Sequence, residues 1–163
     1  MTCHIESQET LPSALLESLL AAKNFQSGLQ TLRQLEFALF DLGIHSQAPL
    51  SIEGIQAQID QVRAEISVMP PPAFNRFQHS FSHIFAGGYA AGYYSYKWAE
   101  VLSSDAFSRF EAEGIFNRET GLAFRQNVLA KGGSEAALDL FVAFRGREPS
   151  IDALLRHSGL EKA

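Results

Sequence analysis

Cysteine is almost absent: the 163 residues hold one, Cys3. That excludes an internal disulfide framework and any cysteine-rich zinc module. Charge is sparse, at 19% Asp, Glu, Lys and Arg, with a net charge of −5. A mildly acidic chain lacks the basic footprint of a nucleic-acid binder, so no nucleic-acid partner is expected. No apolar run approaches the roughly 18 residues of a membrane span, so no membrane partner is expected either. No basic start followed by an apolar stretch suggests a secretory leader. Runs of alternating apolar and polar residues between hairpin turns are missing too, so no strand is expected. What remains is a soluble chain of one-domain length for a reducing compartment.

What is present is helical periodicity. Leu15, Leu16, Leu19 and Leu20 recur at three- and four-residue steps behind Pro12, which suits a first helical turn. Leu29, Leu32, Leu35, Leu39 and Leu42, with Phe37 and Phe40 between them, predict a second helix buried on most sides and stopped by Gly43. Ile52, Ile55, Ile59, Val62 and Ile66 step 3-4-3-4 behind Ser51, a candidate cap, and stop before Pro70-Pro71-Pro72. Beyond residue 98, Asp105, Asn117 and Ser134 are candidate caps. Gly114, Gly132-Gly133 and Gly146 are candidate stops, and Phe107 and Phe110 are expected on an inner face. A last short helix is expected between Pro149 and Gly159. The expected fold is all-α, a single irregular bundle of seven or eight helices over 1–163.

Residues 74–98 differ from the rest, being aromatic and small with almost no charge. All four tyrosines lie between 89 and 96, and the only tryptophan is Trp98. His79 and His83 have the spacing of an HExxH zinc helix, but Ser80 stands where the general-base Glu would be. A hydrogen-bonded histidine pair beside an aromatic core is the simpler reading. Gly87-Gly88-Tyr89-Ala90-Ala91-Gly92 fails the GxGxxG phosphate fingerprint, because Tyr89 holds the middle glycine position. At helical spacing Tyr89, Tyr93 and Tyr96 share a face and Tyr94 points elsewhere, as a packing residue. Three co-facial phenols are either a packed stripe or a row of donors facing a polar ligand, as in an oxyanion site. Cys3 has no base or helix nearby to activate it. His4, His45 and His157 are scattered and expected at the surface, and Glu111 and Glu113 read as a solvated face.

The run FSHIFAGGYAAGYYSYKW, Phe81 to Trp98, resembles the substrate-binding loop of the thimet-type zinc oligopeptidases, most closely their bacterial branch. LLAAKNF, LRQLEF, FSRFEAEGIFNRETG, GGSEAALDLF and FRGREPSIDALLRHSGL extend the likeness over nearly the whole sequence. The resemblance implies a cytoplasmic metallopeptidase that cuts short peptides in a channel between two helical halves. It implies a zinc ion on an HExxH helix with a downstream Glu, and this sequence has no HExxH. The chain is therefore expected to be the C-terminal part of a longer zinc-dependent enzyme, inactive alone and binding no zinc itself. Its partners would be short peptides and the missing N-terminal part, with self-association through exposed apolar surface.

By the same resemblance Tyr96 helps stabilise the oxyanion and His83 hydrogen-bonds substrate near the scissile bond. Tyr89 and Tyr93 contact the peptide, and Gly87, Gly88 and Gly92 let the loop move. The alternative is a non-catalytic helical module that clamps peptides or serves assembly.

Overall fold

A computed structural model describes residues 3–47 and 50–161. Among them there is no strand, only an isolated antiparallel bridge between Cys3 and Thr10. The helices are α1 (Ser13–Lys23), α2 (Ser27–His45), α3 (Ile52–Ile66), α4 (Ser82–Phe85), α5 (Ser95–Glu113), α6 (Arg118–Phe124), α7 (Ala137–Arg145) and α8 (Asp152–His157). A 3₁₀ turn, Phe77–Ser80, precedes α4, and one π-turn, Arg125–Leu129, continues α6.

Two groups of helices form. In the first, α2 packs along α3. A Cβ on Gly43 would meet the end of the flexible Gln58 side chain. Gly43 is not a helix stop: α2 runs on to His45. Ser51 caps α3, its hydroxyl accepting from the Gly54 N–H at 3.1 Å. The core here joins Ala38, Phe40 and Ile59 to Phe81, Ile84 and Tyr93.

In the second group α5 is the central rod, packed by α6, α7 and α8. It begins at Ser95, ten residues before the expected cap Asp105, which lies mid-helix and fully buried. Asp105 collects this end of the chain. Its carboxylate accepts from Arg147 at 2.6 and 2.7 Å, from Arg145 at 3.1 Å and from the Ser150 N–H at 2.7 Å. Asn117 caps α6, accepting from the Glu119 and Thr120 N–H groups. Gly114 ends α5 at φ +110° and Gly146 ends α7 at φ +75°, both in the range that favours glycine. Ser134 caps nothing: α7 starts at Ala137, behind Ala136. Phe110 packs edge-on against Phe124 and near Phe144, whereas Phe107 is exposed. Glu111 takes Arg156 and His157 as ion partners, and Glu113 accepts from the Thr120 hydroxyl at 2.5 Å, so both acids are engaged.

Burial departs from expectation on the leucine stripes. Leu15, Leu16, Leu19 and Leu20 of α1 are exposed, and so are Leu29, Leu35, Leu39 and Leu42 of α2. The buried positions of α2 are Glu36, Ala38, Phe40 and Asp41. Periodicity identifies an apolar side; it does not supply the surface that covers it.

Candidate functional site

The aromatic segment is not one helix. The 3₁₀ turn stops at Phe81, α4 lasts four residues, and 89–94 run through turns before α5 begins. His79 and His83 therefore lie on different elements. Among the described residues no three His, Cys, Asp or Glu side chains gather where they could hold a metal.

The base of the segment is fastened by α2 and α3. Glu36 of α2, buried, accepts from Arg63 of α3 at 2.9 Å and from Arg33 at 2.6 Å. Arg63 also donates to the Asn75 side chain at 2.9 Å, and that oxygen accepts the Phe77 N–H at 3.2 Å. The Arg33 guanidinium covers the rings of Phe37 and Phe77, 4.4 and 4.9 Å from their centroids. Phe77 stacks on Phe37 at 4.6 Å and abuts Phe81 at 4.7 Å. Phe81 in turn meets Tyr93 edge-on at 5.1 Å.

On this wall the tyrosines divide. Tyr93 is 8% exposed, and its hydroxyl donates inward to Gln34 at 2.9 Å. Tyr89 and Tyr96 are 38% and 41% exposed, stacked with centroids 5.2 Å apart. Tyr96 also leans on Tyr93 at 5.1 Å. Tyr94 is 49% exposed, so the packing residue is Tyr93 and not Tyr94. The helical spacing failed because helical dihedrals do not extend back through 89–93. Ala91 stands at φ +54°, a conformation L-residues resist. His83 is exposed, its ring 6.4 Å from Tyr89 and edge-on to Tyr93 at 5.9 Å. Trp98 is exposed on the first turn of α5, its backbone N–H donating to the Tyr94 carbonyl at 3.1 Å.

The glycines also divide. A Cβ on Gly87 would stand 2.8 Å from the His83 carbonyl oxygen, so the tight turn over α4 requires glycine. Gly88 has φ +78°. Gly92 has neither constraint; a Cβ there would make only ordinary contacts.

Both perturbed phenols keep their protons at neutral pH. The neighbouring Tyr89 phenol, then burial and the like charges of Tyr89 and Tyr93, hold Tyr96 above its ordinary value. Burial raises Tyr93, against a smaller opposing pull from Arg33. A neutral phenol is a donor, which is the state an accumulating oxyanion needs. Tyr89, Tyr96 and His83 thus form a half-exposed polar rim on an aromatic wall.

Two residues invisible to the motif reading complete the geometry. Asp41 of α2, fully buried, accepts the Ala91 N–H and the Tyr93 N–H, both at 2.9 Å. Its partner is His45, Nδ1 2.8 Å from Asp41 Oδ1, so His45 is engaged rather than a bare surface residue. No local pattern could reveal the role of Asp41, since the amides it accepts lie 50 and 52 residues downstream.

Residues 1–160 match Peptidase family M3. The chain is 56% identical over 159 residues to oligopeptidase A of Escherichia coli (strain K12), covering 97% of this chain and 23% of that protein. It is 53% identical over 162 residues to a probable cytosolic oligopeptidase A of Arabidopsis thaliana, covering 96% and 23%. Saccharolysin of Saccharomyces cerevisiae is 37% identical over 162 residues, covering 99% and 23%. The chain spans less than a quarter of the length of these relatives. No described helix is long and apolar enough to cross a membrane. A family match over this extent, joined to an all-α architecture, places the chain in Peptidase family M3.

Proposed function

We propose that this chain is the C-terminal, substrate-loop portion of a zinc-dependent metallo-oligopeptidase that hydrolyses short peptides in the cytoplasm. It supplies donors to substrate, while the zinc site belongs to the rest of the enzyme. The observation that carries this reading is the Tyr89–Tyr96 pair: two half-exposed phenols on a loop fixed from behind, within a segment strongly similar to oligopeptidase A.

Attack on a peptide carbonyl moves negative charge onto its oxygen. Donors preset for that charge lower the barrier, and removing one typically costs about 3 kcal/mol. Tyr96, kept protonated, is the oxyanion donor. His83 and Tyr89 hydrogen-bond the peptide on either side of the reacting bond. Tyr93 acts from behind, its ring fixing that of Tyr96, and the Gly87–Gly88 turn lets the backbone approach substrate. Gly92 contributes by leaving room at the same surface.

The exposed leucines of α1 and α2, and an apolar hollow of about 530 Å³ between α5 and α7, lined by Phe110, Phe124, Phe141 and Phe144, support docking of the remaining enzyme. Without it the same surfaces promote self-association.

The test compares this chain alone with a mixture containing the separately expressed remainder, using a quenched fluorescent peptide and metal analysis. The chain alone should neither retain stoichiometric zinc nor cleave, and the mixture should cleave. Zinc-dependent cleavage by the chain alone would overturn the proposal. Saturable peptide binding with no cleavage by the mixture would favour a passive clamp instead.

A further inference from the structure

We infer that Asp41 is the positioning residue of the tyrosine loop, acting on Tyr89 and Tyr96 through the backbone it grips. The inference rests on the substrate role proposed for those two phenols. Helix α5 begins beside the loop with no cap of its own: Tyr94 makes no side-chain capping bond, and the first turn carries no acid. The first N–H groups of a helix need acceptors, and an anion near them is favourable. Asp41 supplies the anion from another helix, accepting amides of the turn that leads into α5, while the Ser95 and Tyr96 N–H groups of α5 itself donate to the Gly92 and Tyr93 carbonyls.

Its two oxygens divide the work. Oδ1 accepts the Ala91 N–H and Oδ2 accepts the Tyr93 N–H, each at 2.9 Å. Gripping residues on both sides of Gly92 fixes the turn and holds Ala91 at its positive φ. Each gripped region is one backbone bond from a site phenol. The Gly92 N–H donates to the Tyr89 carbonyl at 2.8 Å, and the Tyr96 N–H donates to the Tyr93 carbonyl at 3.3 Å. His45 Nδ1 lies 2.8 Å from the carboxylate and 2.9 Å from the Asp41 carbonyl, on the outer side. A buried carboxylate must be matched by donors; here the two hydrogen-bond donors are loop amides, so its burial and the loop's shape are one requirement.

Two measurements test this. In the wild-type chain, NMR should show through-hydrogen-bond coupling from the Ala91 and Tyr93 amide nitrogens to the Asp41 carboxyl carbon. Absence of both couplings overturns the inference, and this needs no variant to fold. In the enzyme reassembled with its remainder, Asp41→Asn places an amide group where one loop N–H needs an acceptor. Amide exchange at 89–96 should rise about tenfold, with α3 unchanged, and kcat should fall about tenfold while KM moves less than about threefold. His45→Gln should shift both readouts in the same direction by less. Unchanged exchange in a folded Asp41→Asn enzyme overturns the inference. Raised exchange with unchanged kcat upholds the grip of Asp41 and overturns instead the role proposed for Tyr89 and Tyr96.

Discussion

Two aspartates, Asp41 and Asp105, are each fully buried, one in each group of helices, and they are satisfied in different ways. Asp41 is matched by two backbone amides of a turn, with the His45 ring beside it. Asp105 is matched mainly by guanidinium groups, Arg145 and Arg147, with one amide. Amides are fixed to the chain, so the first arrangement dictates backbone shape. Arginines reach on flexible stems, so the second ties helices together and leaves backbone shape to other forces. The same chemical group serves placement at one end of the molecule and fastening at the other.

The largest way to break this contrast is Asp105→Asn. Leaving two arginines without their anion should cost about 3 kcal/mol. At this chain length that is roughly a 10 °C fall in melting temperature. Calorimetry checks the size, and hydrogen exchange should place the loss in α7, α8 and the Arg147–Ser150 segment. Loss centred on 89–96 would erase the distinction. Next comes Tyr96→Phe in the reassembled enzyme, with kcat down about a hundredfold and KM little changed. Tyr94→Phe should change neither parameter, because its neighbour Tyr93 holds the packing role.

Smaller are the caps. Ser51→Ala in the first group and Asn117→Ala in the second should each cost about 1 kcal/mol by chemical denaturation. Two equal losses would show that local capping does not follow the contrast between the aspartates.

The gentlest probe is pH. For Asp105 burial raises the pKa, but the Arg147 bonds, the Ser150 amide and both arginine charges outweigh it, leaving the carboxyl below its ordinary value. Glu113 is lowered by its bonds from Thr120 and Arg109. Depressed carboxyls stabilise above the unfolded value near 4, and that contribution disappears as pH falls through the folded value. Raised phenols behave oppositely. Tyr93 and Tyr96 contribute below about pH 10, and the contribution is lost as pH rises through their folded values. Acid should therefore loosen the α5–α8 group first and alkali the loop first, as read by residue-resolved exchange.

How much of this was legible in the sequence depends on the reach of each interaction. Ser51 and Asn117 were readable as caps because a cap bonds within three residues of itself. The stops at Gly114 and Gly146 were readable for the same reason. Asp105 looked like a cap because an aspartate before an aromatic pair suits that place; its real partners lie 40 to 45 residues away. Tyr93 rather than Tyr94 is the buried tyrosine because a turn, not a helix, runs through 90–94. The likeness of residues 81–98 to the family was readable because their tyrosines, glycines and histidine are contiguous. The residue that shapes it, Asp41, sits unannounced among the leucines of α2.

The place of Trp98 has an optical consequence. This chain's single indole, Trp98, lies two residues beyond Tyr96 and is exposed enough to sense its surroundings. Excited tyrosines pass energy to a nearby indole, so light absorbed by the site phenols should emerge as Trp98 emission. Peptide arrival or loop displacement would each alter that transfer. This chain carries its own fluorophore pair beside the groups proposed to act on substrate.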